Sequence, residues 1–476
     1  MNRKNIWVHL GIAIVIIGIA AIVGQIRKFD FSSRGTTVSV KETKTLPKPV
    51  AMKRTAVESE PEVLVKFRPG VSAAEIRRIA AKNNDRIEDR IEIVNGLTSI
   101  DDLDNLDGKT VAEQYSKMSD LVEYAEENLK IELDDPNGRA FKVPNRAEDK
   151  NPLFPNDPLF EEQWALNNIG QEGGKKDAHI AALKAWAKTQ GNQDVVIAVL
   201  DSGVDYTHRD LIQNMWIRPA DIPQYNDEEL GTYNDEHGFN ATDNLSDPMD
   251  DNGHGTHCAG IIGAEGNNNE GVTGINWKVE IMPLKFIGRG GFGTTKDAIE
   301  AINYAVERKR AGVNIRVINA SWGSTLKSKP LEDAIRAAGE EGILFVAAAG
   351  NNSTDNDKRP HFPSNYQLSN VISVAALDRN DQLASFSNYG VKTVHIAAPG
   401  KDIVSTWLND AYREASGTSM ATPYVAGVAA LILASEPDLT VEQLRARVLE
   451  SIDAIDALSG KVENGGRINA AKALGN

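Results

Sequence analysis

Cysteine is almost absent: the chain has one thiol, Cys258, in 476 residues. An intramolecular disulfide is excluded, so the fold is held without one. Cations are also in deficit. Lys and Arg number 52 against 67 Asp and Glu, a formal net charge of -15. That balance excludes a partner gripped through a phosphate backbone, because such binding draws on Lys and Arg that displace counterions. Nucleic acid is set aside. Three chemical signatures are missing as well. HGTH at His254 lacks both the Glu and the spacing of HExxH, which excludes a zinc hydrolase of that type. Ser419 sits in GTSMA, not in the G-x-S-x-G elbow of serine esterases and lipases. The loop DPMDDNG fails as an EF-hand, since the frame through Gly253 has Pro248 and Ala259 where the first and twelfth ligands belong.

Against these absences stand 41% hydrophobic residues, enough for one large core or two to three smaller ones. Residues 1–27 carry Arg3 and Lys4 and then an apolar run from Ile6 to Gly24, the order of a secretory signal peptide. The run approaches the ~20 residues that span a bilayer. No small-x-small site precedes Gln25, so a membrane anchor is the alternative to a cleaved signal. Secretion, or residence in the cell envelope, is the expectation, with membrane contact only through this segment. Residues 28–60 are polar, rich in Lys, Thr, Ser and Pro, and read as a linker.

Residues 61–134 open with the alternation EVLVKF, continue with a helical pattern after the N-cap Ser72, and close with VEYAEENLKIEL, a small α+β domain. Residues 135–155 are a polar, Pro-bearing junction of the kind proteases cut. From 156 to 476, buried-strand runs such as VVIAVL, VEIMPLKF, IRVINASW and ILFVAAAG alternate with helical stretches. Helices are expected over HGTHCAGIIGA, Thr295–Lys309 and Pro330–Glu341. This pattern predicts an α/β fold with a doubly wound, mostly parallel sheet, whose functional residues lie at the carboxyl ends of strands.

Four side chains sit at such places. Asp201 follows VVIAVL, His254 opens a helix of small residues, Asn351 ends AAAGN, and Ser419 stands at a loop-to-helix junction. Singly, each reads as a turn or cap residue. Together, Asp, His and Ser in that order, with an Asn able to donate to an oxyanion, have the composition of an acyl-transfer site. Pro423, near the start of the Ser419 helix, is tolerable there, since the early N–H groups have few partners to lose.

DSGVD at Asp201, GHGTHCAG at His254, SWG at Ser321, AAAGN at Asn351 and GTSMATPYVAG at Ser419 resemble, in order, the motifs of the subtilisin-like serine proteases. The resemblance implies a serine endopeptidase acting on protein or peptide substrates, with Asp201, His254 and Ser419 as triad and Asn351 in the oxyanion hole. It implies that Ser321, Trp322 and Gly323 on one side, and Gly291 and Gly293 on the other, clamp an extended substrate, with Ala349 and Gly350 lining the first pocket. Trp322 would narrow that pocket, and Asp355 or Asp357 would favour a basic residue if it faced inward. Residues 61–134 resemble the family's inhibitory propeptide, which implies a self-processing zymogen; a small accessory domain is the alternative. A structural Ca²⁺, with no catalytic metal, is implied at Asp157, Asp210 and Asn268 with the carbonyls of Glu270 and Val272. His257 and Cys258 fall at packing positions, the acidic run Asp235–Asp251 reads as a solvated loop, and the working form is expected to be a monomer. A non-catalytic protein of the same fold is disfavoured, because all four chemical positions carry the required side chains.

Overall fold

The computed structural model describes residues 63–134, 138–143, 154–227, 229–242 and 246–475, all within one compact unit that spans Leu46–Asn476. The signal or anchor at 1–27 and the linker at 28–60 lie outside the described residues.

In the first segment the alternation of VLVKF serves two faces. Val63, Val65 and Phe67 enter a small core with Ile76, Ile79, Ile100, Val111 and Tyr115, while Leu64 turns the other way into a second core shared with the rest of the chain. The four strands are antiparallel in the order Asp85–Ile91, Leu97–Asp102, Val63–Phe67, Val122–Glu127. Two helices cover one face, Ala73–Lys82 and Gly108–Ser116. Ser72 caps the first, as expected, by accepting from the Glu75 N–H, and Asp107 caps the second.

The other face of this small sheet rests on two helices of the large unit, Thr295–Arg310 and Lys329–Glu340. The small unit caps both of them. Glu126 Oε2 accepts from the Lys329 N–H at 2.9 Å and Asn128 Oδ1 from the Lys296 N–H at 2.9 Å. First-turn N–H groups have no partner within their own helix, and a negative or carbonyl oxygen suits the positive end of the helix dipole.

The large unit is built on a nine-stranded sheet in the order Phe239–Asn240, Lys278–Lys285, Gly191–Asp201, Ile315–Ala320, Leu344–Ala348, Val371–Leu377, Ile396–Pro399, Gly466–Ile468, Ile452–Ala454. All neighbours are parallel except the last pair. The central strands carry continuous apolar runs such as VVIAVL because both faces are covered. Ile197, Val199, Val317 and Val346 face helices His254–Gly263 and Thr418–Ser435, whereas Val196, Ala198, Ile318 and Phe345 face Thr295–Arg310 and Lys329–Glu340. The expected helices are thus present within a residue or two at each end.

Within the junction 135–155, Ala140–Phe141 pairs antiparallel with Tyr412 and Arg413, adding a third strand to the hairpin of Ile403–Trp407 and Ala411–Ala415.

Candidate active site

Strand Gly191–Asp201 delivers Asp201 to the carboxyl edge of the sheet, fully buried. Its Oδ1 lies 2.7 Å from His254 Nδ1 and accepts from the Ser202 N–H at 2.8 Å. His254 is the first residue of its helix, after Gly253 at φ +107. The helix can come this close because residue 255 has no side chain, since a Cβ there would lie 2.0 Å from the Gly203 carbonyl oxygen. Burial alone would lower the His254 pKa, but the Asp201 charge and hydrogen bond, followed by the charges of Asp250 and Asp134, hold it above its ordinary value.

Asp250 went unnoticed in the sequence, hidden among turn formers, and it organises this corner. Oδ1 accepts from Ser202 Oγ and from the N–H groups of Asn252 and Gly253, and Oδ2 from the Thr256 N–H and hydroxyl. One buried carboxylate so joins the Asp201 turn to the start of the His254 helix. The Lys285 ammonium braces the same turn through the Ser202 and Ile287 carbonyls and Asp251, at 2.7 to 2.9 Å. The acidic run from 235 to 251 is therefore partly structural. Asp235 too is buried, between Arg218 at 3.1 Å and Arg308 at 3.5 Å.

Ser419 is the second residue of helix Thr418–Ser435, and Pro423 the sixth. At that depth an N–H would ordinarily bond to the carbonyl four residues back, which is that of Ser419. Pro423 thus lies beyond the early N–H groups that lack partners, and it costs the helix one hydrogen bond. The orphaned Ser419 carbonyl instead accepts from Ser321 Oγ at 2.8 Å and from Cys258 Sγ at 3.6 Å. Cys258 is fully buried, which raises its thiol pKa well above the ordinary value and keeps it a weak donor rather than a nucleophile. His257 points away from the site, Nε2 lying 3.0 Å from the Arg413 carbonyl and 3.2 Å from that of Ile403. Ser419 and His254 are not hydrogen-bonded to each other.

Asn351 has a fixed orientation. Its Oδ1 accepts from the Thr418 N–H at 2.8 Å and hydroxyl at 2.9 Å, which turns Nδ2 into the cleft. There Nδ2 donates to Asp134 Oδ2 at 2.7 Å. Asp134 ends an extended segment of the small unit that runs along the cleft edge. Lys130–Glu132 pairs antiparallel with Phe292–Thr294, and the Leu133 N–H donates to the Gly291 carbonyl at 2.9 Å. Ile131, opposite Gly293, is buried in the core of the large unit. Gly291 and Gly293 are thus where an extended chain pairs. Ser321 and Gly323 line the opposite wall, with no ladder to the segment among the described residues.

Trp322 meets the cleft, but its indole N–H donates to the Leu200 carbonyl at 2.8 Å and its ring packs on Phe286, so its bulk lies in the core rather than across a pocket. Ala349 and Gly350 follow Leu344–Ala348, and the Gly350 N–H donates to the Thr418 hydroxyl at 3.1 Å. Asp355 is paired with Lys358, and Asp357 accepts from Lys392 and Thr393. The loop sends His361 to the cleft instead, where burial lowers its pKa to about 4. HFP gave no sign of this in the sequence.

Asp157 and Asp210 meet at the loop 266–273. Asp157 accepts from the Asn267 N–H at 2.8 Å, and Asp210 from the Asn268 amide at 2.8 Å and the Val272 N–H at 2.9 Å. Both are fully buried, and burial raises them to about 8 and about 7. Among the described residues, the Glu270 and Val272 carbonyls accept no backbone hydrogen bond. Paired buried carboxylates beside unclaimed carbonyls suit a hard cation such as Ca²⁺. The Glu270 carboxylate lies away, 3.7 Å from Arg209.

A buried Asp–His pair, a serine at a helix start and an extended segment paired along the cleft edge are the parts from which a serine hydrolase of peptides can be built. Comparison with known proteins makes the class specific. Residues 192–475 match the Peptidase S8 profile, the subtilase family, and the chain belongs to that family. It is a serine endopeptidase whose substrates are proteins or peptides. A thermophilic serine proteinase of Bacillus sp. (strain AK1) is 34% identical over 423 residues, 87% of each chain. Thermitase of Thermoactinomyces vulgaris is 37% identical over 320 residues, 67% of this chain and 99% of the relative. The crystal structure of fervidolysin from Fervidobacterium pennivorans, a keratinolytic enzyme related to subtilisin, shares the fold. It has a TM-score of 0.67 at 23% identity, over 89% of this chain and 62% of that one.

Proposed function

We propose that the chain is a secreted, self-processing zymogen whose residues 61–134 inhibit it until the junction is cut. In this reading Ser419 attacks the peptide carbonyl, His254 takes its proton and returns it to the leaving amine, and Asp201 holds the ring and stabilises the imidazolium. Asn351 Nδ2 and the Ser419 N–H receive the oxyanion. The observation that carries the reading is the seat of Lys130–Asp134, an extended peptide on the 291–294 edge with a carboxylate oxygen on Asn351 Nδ2. The bond to be cut would lie beyond Asp134, in the junction 135–155. Ca²⁺ at Asp157, Asp210, Asn268 and the Glu270 and Val272 carbonyls would tie the loop 266–273 to the start of the large unit. The basic and apolar N-terminus supports secretion.

The test is expression without the first 28 residues, with and without Ser419→Ala, followed by mass spectrometry of the N-terminus. The reading requires a new N-terminus between about residues 133 and 156 in the active chain alone. Equal processing in both chains, or a cut well outside that window, overturns it.

A further inference from the structure

The cleft ends on a side chain that the catalytic groups do not use. His361 comes from the loop that follows Asn351, and the residue after it is tied to the opposite wall. The Ser324 and Phe362 N–H groups each donate to the other's carbonyl at 2.7 Å. The His361 backbone is fixed as well. Its N–H donates to Asn365 Oδ1 at 3.2 Å, and its carbonyl accepts from Ser364 Oγ at 2.7 Å and from the Asn365 N–H at 2.9 Å.

The imidazole lies between two walls at the points where both lack a side chain. A Cβ on Gly323 would overlap its Cε1, and one on Gly350 would come within 2.9 Å of its Cδ2. The ring therefore takes the depth that a long or aromatic substrate side chain would need. Little apolar surface replaces it, since the Trp322 indole is turned into the core, and Ser324, Thr325 and Asn352 line the same pocket.

The floor is also polar. His361 is 8% exposed, its ring donates to the Ala348 carbonyl, and Nδ1 has no hydrogen-bond partner among the described residues. An unpaired buried nitrogen disfavours an apolar neighbour, because only a polar group completes its bonding. A cation finds no counterion there. Asp355 and Asp357 are engaged elsewhere, and the described lining holds no carboxylate of the large unit. Asp134 marks where a substrate side chain arrives. It is the first residue past the Leu133 to Gly291 hydrogen bond, it lines the pocket together with His361 and Ser419, and its charge acts on the His361 ring.

We propose that His361 sets specificity in the first pocket, admitting a short polar side chain such as Asn, Asp or Ser before the bond to be cut and excluding aromatic and long ones. The bulk of the ring limits depth, and its nitrogen selects polarity. The proposal rests on the reading of the cleft given above, since Ser419 and Asn351 define which pocket is first.

The experiment uses the active enzyme and acyl-Ile-Glu-Leu-X-anilide peptides, which copy residues 131–133 on the cleft edge. In the wild type, kcat/KM with Asn at X should exceed that with Phe or Lys by at least about tenfold, and Asp and Ser should group with Asn. His361→Gly should raise the Phe peptide at least about tenfold and leave the Ala peptide within about threefold. His361→Phe keeps the bulk and removes the nitrogen, so the Phe peptide should stay excluded while the advantage of Asn over Ala disappears. This second variant and the wild-type ranking carry the test if circular dichroism shows that His361→Gly does not fold. A wild-type preference for Phe or Lys, or a ranking that neither variant alters, overturns the assignment. Failure of the cleft reading is seen separately, as peptide hydrolysis that survives Ser419→Ala.

Discussion

Replacing Asn351 by Asp tests the oxyanion assignment, because the two ends of this side chain do different work. Oδ1 fixes the Thr418 N–H and hydroxyl directly before Ser419, and Nδ2 is the donor presented to the cleft. Asn351→Ala removes both functions and strands the Thr418 N–H, which costs about 1–3 kcal/mol of stability. Asn351→Asp keeps the acceptor and replaces only the donor. Loss of one oxyanion donor is worth roughly 3 kcal/mol, so kcat should fall about 10²- to 10³-fold, and further because a carboxylate repels the developing negative charge. KM should change little, since the interaction strengthens only in the transition state. The assay is steady-state hydrolysis of a peptide anilide by the mature enzyme, paired with Tm by circular dichroism. Asn351→Asp should melt close to wild type and Asn351→Ala several degrees lower. A kcat within about threefold of wild type, or a loss confined to KM, refutes the donor role.

Three further outcomes are expected. Because His254 must be neutral to act as base, and because Asp201 holds its pKa above the ordinary value despite burial, kcat/KM should fall as pH drops through that raised pKa. Asp201→Asn should shift the limb to lower pH, and a flat profile over about pH 5 to 9 refutes the role. Ser321→Ala should cost about 1–3 kcal/mol in urea unfolding by stranding the Ser419 carbonyl. Pro423→Ala in the same chain should recover part of that loss by restoring an N–H, and no recovery refutes the account of Pro423. At the Asp157–Asp210 site, burial raises the folded-state pKa of both carboxyls, to about 8 and about 7. In EDTA, Tm should therefore decline as pH rises from about 4 to about 8, through the span between the unfolded and folded pKa values. Saturating Ca²⁺ should abolish the decline, and a Tm indifferent to Ca²⁺ at pH 8 refutes the site.

The sheet was legible because both its faces are covered, which leaves runs such as VVIAVL apolar without a break. Asp201 and Asn351 were legible because each follows such a run, where a parallel sheet exposes its edge. Less visible were contacts between residues far apart in sequence. Asp134 looks like the start of a polar junction, and nothing near it announces that residues 291–294 pair with the segment before it. Asp250 was hidden among turn formers, since its work is done by both carboxylate oxygens at once across two segments. Pro423 was misjudged because the helix begins early enough to bury it a full turn in. His361 could not be placed from local sequence at all, as Gly323 and Gly350, between which its ring lies, belong to two other segments.

The strand Ala140–Phe141 has a kinetic consequence. Leu133 is held at Gly291 and Ala140 at Arg413, so on the proposed self-processing both flanks of the junction are already bound to the unit that would cut it. The first turnover would then be first order, with a half-time that does not change on dilution, because the attacking group and its target share one molecule. Every later turnover would be second order and would wait for the product of the first to leave. Dilution, which slows ordinary proteolysis, would instead favour activation here by preventing the departed segment from returning.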